Sequence, residues 1–317
     1  MFLRRLCRQG AVIALMPVFA LSFAFGGHAE SQDAPAQTAA RAAAPAAAIA
    51  TGPGKSAVLR LNLIDRQRML GEMMAKGLCF IDLKVEKKLH RNQMSVAQYV
   101  FHSTLDNLVE GSPGLELPPE QRPELKNAIE EIKLAWVKYA EPLNSWTGGR
   151  WGKKQFALKV YEVDEEYEKQ LSETIELYRK VLLGAGAVSE DTTLTILAAG
   201  RQRTLTQQMA KQFCQALSGY KPEETRERLQ QTLALYKDVA GKFNSGDKEV
   251  GLSGGQPGLI LDNIQLATTA FEKIEPVLKA TVEGGTPTPE EQTLVAGTTL
   301  ELLRHWEKVV ATYVQLN

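Results

Sequence analysis

From about residue 56 onward, apolar side chains recur three and four positions apart, with Glu, Lys, Gln and Arg between them. That spacing gathers the apolar positions on one face of a 3.6-residue helix. The Val/Ile/Thr-rich alternation of a half-buried strand is scarce. Breaks fall where Gly and Pro cluster, at GSPGLELPPEQRP (111–123) and PLNSWTGGRWG (142–152). The pattern predicts helices over 56–90, 93–110, 120–141 and 157–183. After the linker LLGAGAVSED (182–191) it predicts four more, over 190–219, 222–244, 257–283 and 288–315.

The two sets of four are related. RQRMLGEMMAKGLC (66–79) and RQRTLTQQMAKQFC (201–214) agree at eight of fourteen positions with a constant offset of 135. Weaker echoes follow in the same order. GSPGLEL (111–117) resembles GQPGLIL (255–261) at an offset of 144, AWVKYAEPL (135–143) resembles AFEKIEPVL (270–278), and ELYR (176–179) resembles ELLR (301–304). A fixed self-similarity of this length marks a duplicated structural unit. Four amphipathic helices with short connections fold most simply as an up-and-down bundle. The expected fold class is therefore all-α, two tandem up-and-down four-helix bundles, the first over 56–185 and the second over 186–317.

The chain begins with Arg4, Arg5 and Arg8, then the apolar run AVIALMPVFALSFAF, then small residues ending at Ala29. This is the form of a cleaved secretory signal over 1–29, too short for a membrane span of about 20 apolar residues; the alternative is a segment retained as an anchor. Residues 30–55 are Ala/Pro-rich with few large apolar side chains, the composition of a disordered linker. The expected location is periplasmic. Lys and Arg together number 37, as do Asp and Glu. Loss of the three signal arginines leaves the remainder slightly acidic, which argues against nucleic acid as a partner.

Arg66 and Arg68 are two residues apart on one helix, so about 200° separates them. Arg68 continues through Glu72, Ala75 and Cys79; Arg203 continues through Gln207, Ala210 and Cys214. Each of these stripes combines a guanidinium, a small residue and a thiol, which suits close helix–helix contact. Arg66 shares the opposite, mostly apolar stripe with Leu70, Met73 and Gly77. A guanidinium stays charged, so a buried one needs carboxylates, carbonyls or a bound anion around it.

RQRMLGEMMAK and AAGRQRTLTQQMAK resemble the first-helix signature of the PilJ-type domain, the N-terminal module of type IV pilus methyl-accepting chemotaxis transducers. That module is similar to the periplasmic sensor domain of nitrate/nitrite-responsive histidine kinases. Asn62, Arg68–Met69 and Met74 match the kinases' ligand box, as do Arg203 and Met209 in the second copy; Thr204 and Leu197 depart from it, and Met73 and Gln208 replace a second family arginine. The resemblance implies a sensory module that binds a small anion, with Arg68 and Arg203 the foremost ligand residues and Asn62, Arg66 and Arg201 beside them. It also implies a membrane receptor, a kinase or a pilus component as protein partner. If family members work as two-fold dimers, two units in one chain mimic such a dimer, with Arg68 and Arg203 across a pseudo-axis. That arrangement requires the two first helices to pack together.

The remaining chemistry is thin. Cys79 and Cys214 are expected as small buried hydrophobes in separate cores; the alternative, a disulfide, needs Cα atoms within about 7 Å. GLSGG (251–255) has the Ser-elbow spacing but follows a polar helix exit rather than a strand, so it reads as a loop. His90, His102 and His305 show no metal-ligand spacing, and no cofactor motif is present. The expected function is a non-enzymatic sensory or ligand-binding module; the alternative is a structural or interaction protein of the cell envelope.

Overall fold

A computed structural model describes residues 53–147, 154–247, 251–252 and 256–317. The signal segment, nearly all of the Ala/Pro-rich linker and most of the Trp-containing turn at 145–152 lie outside the described residues. Eight helices carry the described chain: α1 Pro53–Asp82, α2 Lys87–Glu110, α3 Pro123–Thr147, α4 Lys154–Gly184, α5 Glu190–Ser218, α6 Pro222–Ser245, α7 Gly258–Val282 and α8 Pro289–Leu316. The fold is all-α; among the described residues there is no strand, only two isolated bridges. None of these helices is long and apolar enough to cross a membrane.

Local chemistry accounts for the helix ends. Ser189 caps α5 by accepting from the Thr192 amide, and Thr288 with Glu291 forms a capping box on α8. The first helix ends at Asp82 rather than running on to 90. No Gly or Pro marks that turn in the sequence, because Lys84 and Glu86 take positive φ (65° and 39°) themselves. In the second half, Gly219 (77°) and Lys221 (37°) hold the same two places 135 residues later.

In the first half α1 packs on α2 and α4, and α3 on α4; in the second, α5 packs on α6 and α8, and α7 on α8. These are the neighbours of up-and-down bundles. The most extensive helix–helix contact, however, joins the halves: α1 lies against α5. Leu61, Ile64, Cys79 and Phe80 belong to the same continuous core as Met209, Phe213, Cys214 and Trp306. The expectation of separate cores is thus corrected, because the apolar stripes of α1 and α5 are buried against each other as well as inward.

The offset of 135 also extends into the loops. Gly111 ends α2 at φ 82° and Ser112 bridges Leu117; Gly246 ends α6 at φ 79° and Asp247 bridges Leu252. The first loop is held by buried Arg60, which donates to Leu108 O at 2.7 Å and to Pro118 O. The second is held by Thr195, 135 residues on, which donates to Gly251 O at 2.5 Å. The partner of GSPGLEL is therefore GDKEVGL (246–252), not GQPGLIL, whose Pro257 instead caps α7. What recurs is a left-handed glycine followed by a bridge, which needs little sequence identity.

Candidate functional site: the paired first helices

The α1–α5 contact is a parallel pair. Asp65 meets Arg203, Glu72 meets Lys211, Lys76 meets Gln207 and Cys79 meets Cys214, so both helices advance in one direction along the interface. Cys79 and Cys214 form a disulfide with Cα atoms 6.0 Å apart. This corrects the expectation of two unlinked thiols: residues equivalent under a pseudo-two-fold axis between parallel helices come together when they face that axis.

All four motif arginines lie around one end of this pair. Arg203 is buried and reaches Asp65 (3.1 Å) and Glu307 of α8 (3.2 Å). Arg68, 17% exposed in its side chain, reaches the other oxygen of Asp65 at 2.6 Å. Arg66 reaches Glu307 at 3.1 Å. Although Arg66 and Arg68 leave α1 on nearly opposite faces, both enter one network, Arg68–Asp65–Arg203–Glu307–Arg66. Burial opposes charge on Glu307, but Arg66 and Arg203 hold its carboxyl below the usual range. Asp65 has no symmetric counterpart: position 200 is Gly, and a Cβ there would lie 1.9 Å from Asp65 Oδ2. Only one carboxylate fits at the axis.

Arg201 makes no hydrogen bond or ion pair among the described residues, and its side chain is exposed. Partial burial, and then the nearby charge of Arg68, depress its guanidinium. Asn62 is half-buried with Oδ1 unpartnered. The five residues expected from sequence therefore occupy one end of the α1–α5 pair, in unlike states: Arg66, Arg68 and Arg203 are held by the chain's own carboxylates, while Arg201 is not.

Two lysines inside the pair escaped the sequence reading although both stand in the repeated motif. Lys211 is buried beside Asp164 of α4 and Glu72 (2.7 Å). Burial opposes its charge, yet Asp164, Glu72 and Glu168 hold the ammonium well above the ordinary lysine range. Lys76, its equivalent, is buried with the Gln207 Oε1 amide oxygen at 2.6 Å, and burial lowers it to about 7. His90 stacks on Phe80, and burial with the Lys76 charge lowers it to about 3. Met69 and Met74 are core residues.

Beside Arg201 opens a cleft of about 530 Å³ between α4, α5 and α6, lined by Asp164, Glu168, Arg201, Gln208, Lys211 and Gln212 among others. Among the described residues no group of three His, Cys, Asp or Glu side chains is placed to hold a metal.

Comparison with curated proteins returned no match. The family model described as type IV pili methyl-accepting chemotaxis transducer N-term (PilJ) matches residues 187–296, a stretch that spans α5, α6, α7 and the first turns of α8.

Proposed function

We propose that the chain is a non-enzymatic sensory module of a chemotaxis or type IV pilus signalling system. It works in the periplasm and passes its state to a membrane partner, a receptor, kinase or pilus component. The observation that carries this reading is the PilJ match over the second four-helix set, a domain named for transducers. The same turns, caps and loop anchors recurring 135 residues earlier support reading 56–185 as a second unit of that kind. Two units paired through their first helices make a self-contained counterpart of a two-fold dimer.

The arginines divide by role in this reading. Arg203 and Arg66 hold the pair together through Asp65 and Glu307, so an anion at Arg203 has to compete with carboxylates already in place, one of them fully buried. That saturation favours the structural alternative for this part of the motif. Arg201 is the member left for a ligand, with the partly exposed Arg68, already on Asp65, beside it.

Deletion of the coding sequence tests the reading, with twitching motility and chemotactic spreading as readouts. A sensory module expects a lost or biased response with surface pili still present. A structural envelope protein expects loss of the pili themselves, seen by immunoblot of the sheared fraction. Normal motility and normal chemotaxis would overturn both.

A further inference from the structure

The offset of 135 maps the pair Arg66 and Arg203 onto Arg201 and Arg68. The first pair is bridged by a carboxylate of the chain itself, Glu307, at 3.1 Å and 3.2 Å. The second pair has no such bridge: Arg68 bonds Asp65, and Arg201 makes no ion pair among the described residues. Glu307 therefore shows, on one side of the pseudo-axis, how the arrangement grips a carboxylate that the other side lacks.

The walls beside the two pairs differ in the same sense. Gln208, Gln212 and Gln215 line the cleft next to Arg201, with Gln231 and Thr232 of α6. Their equivalents next to Arg66 are Met73, Gly77, Phe80, Val96 and Ala97. There Met73, Phe80 and Ala97 are core residues, and the Met94 side chain fills the space at Gly77. Packing at this position is thus satisfied by apolar side chains, and the amides of the second half serve no packing need. Gln212 is 4% exposed, and its Oε1 has no hydrogen-bond partner. A buried amide oxygen left unmatched is costly unless something else donates to it.

The charges lining the cleft complete the pattern. Lys211 is matched by Asp164 and Glu72, and Arg228 by Glu165 and Glu224. Lys169 faces Glu173 at 4.0 Å. Arg201 and Glu168 remain, of opposite sign, near enough for their charges to be felt but forming no ion pair with each other or with a neighbour among the described residues. An unmatched cation and an unmatched anion across one polar cleft are complementary to a molecule carrying both charges.

We propose that the cleft between α4, α5 and α6 binds a small zwitterion, its carboxylate on Arg201 with Arg68 beside it, its ammonium on Glu168, and its polar remainder on Gln208 and Gln212. Free amino acids and short peptides share this chemistry, and the cleft's volume is in the range of ligand pockets. The site deepens the sensory reading by naming a ligand class and rests on that reading only for what binding achieves.

Isothermal titration of the purified chain tests it. The probes are the common L-amino acids, a set of dipeptides, acetate and propionate without an amine, and alkylamines without a carboxylate. At least one amino acid or dipeptide binds, and the longer charge separation of the dipeptides tells the two sources apart. The matched acid and amine each bind at least about tenfold more weakly, because each leaves one charge of the site unpaired. Arg201→Gln and Glu168→Gln each weaken binding by at least about tenfold. Arg201 forms no bond among the described residues, so the thermal melt of Arg201→Gln matches the parent; Glu168→Gln also weakens the field on Lys211, so its affinity is compared well below its own melt. No binding by any amino acid or dipeptide overturns the site; so does equal binding of simple carboxylates, or unchanged affinity in Arg201→Gln. Failure here with a motility defect on deletion removes the site and leaves the sensory module; binding without such a defect does the reverse.

Discussion

Lys211 and Lys76 occupy the same place in two copies of one helix, yet their surroundings treat charge in opposite ways. Lys211 has carboxylates from two helices, Asp164 on α4 and Glu72 on α1. Lys76 has the neutral amide of Gln207, the residue that replaces Glu72 in the second copy. Two differences across the axis thus decide which lysine is compensated: Glu72 against Gln207, and Asp164 against Thr299. The burial is equal in kind, so the partners set the difference. Duplication here has kept the backbone and released the electrostatics.

The sharpest way to break this comparison is to remove each ammonium in turn. Lys211→Met leaves Asp164 and Glu72 buried without a cation and is expected to cost about 3–5 kcal/mol. Lys76→Met leaves only an amide short of a donor, a cost of about 1–3 kcal/mol that is offset by relief of a buried charge. Urea unfolding measures both, and equal losses would show that the two sites are electrostatically alike. The pH dependence sharpens it further. Lys76 titrates at about 7 in the fold against an ordinary 10.5. Between those values the unfolded chain binds more protons, so stability rises with pH across the window. The penalty is fully present below pH 7 and has lapsed near 10.5. The difference between Lys76→Met and the parent should therefore favour the variant most at pH 6 and least at pH 10; a constant difference would contradict the assignment.

The disulfide is the element that treats both halves alike, and it is next in expected size. Cys79 and Cys214 close a loop spanning 135 residues. A disulfide typically contributes about 2–4 kcal/mol, chiefly by restricting the unfolded chain. Cys79→Ser with Cys214→Ser should lower the melting temperature, and reductant should lower that of the parent but not of the double variant. A parent indifferent to reductant would mean that the α1–α5 packing alone fixes the two halves.

How much of this was legible follows from what each feature is made of. Helices were legible because their apolar spacing is written residue by residue, and the repeat because RQR…C recurs nearly intact. The true loop equivalence was not, since GSPGLEL and GDKEVGL share little besides a glycine that must adopt positive φ. Nor was the end of α1, where Lys84 does the work that Gly219 does later. At the site, the stripes of Arg68 and Cys79 correctly pointed to a helix contact. Asp65 stands just before the motif and Glu307 lies on α8, and neither matters until the fold assembles the pair; the run VDEEYEK (163–169) reads as a solvated helix face, yet its Asp164 is buried against Lys211. The lysines stood in plain view, but burial, not identity, makes them significant.

Asp65 against Gly200 offers a smaller test of the same asymmetry. A methyl group at 200 would meet Asp65 Oδ2 at 1.9 Å, with Arg203 Nη2 at 3.1 Å. Asp65 is held between two guanidiniums and cannot swing away freely. Gly200→Ala is thus expected to destabilise by about 1–3 kcal/mol, the range for overpacking a filled interior, although alanine is the better helix former. Pairing it with Asp65→Asn in a double-mutant cycle isolates the contact. Additive losses would place the strain elsewhere.

The smallest effect comes from the glycines that the fold does not use. Gly241 lies in α6 and Gly297 in α8, both well inside their helices, and a Cβ at either meets nothing within 4 Å. Their backbones are helical, so alanine adds no strain and removes freedom from the unfolded chain. Gly241→Ala and Gly297→Ala should each stabilise by about 0.5–1 kcal/mol, opposite in sign to Gly200→Ala. Denaturant midpoints with unchanged slope are the readout. If all three substitutions shifted the midpoint the same way, helix propensity would be governing all three sites, and the close approach at the pseudo-axis would not be what keeps position 200 free of a side chain.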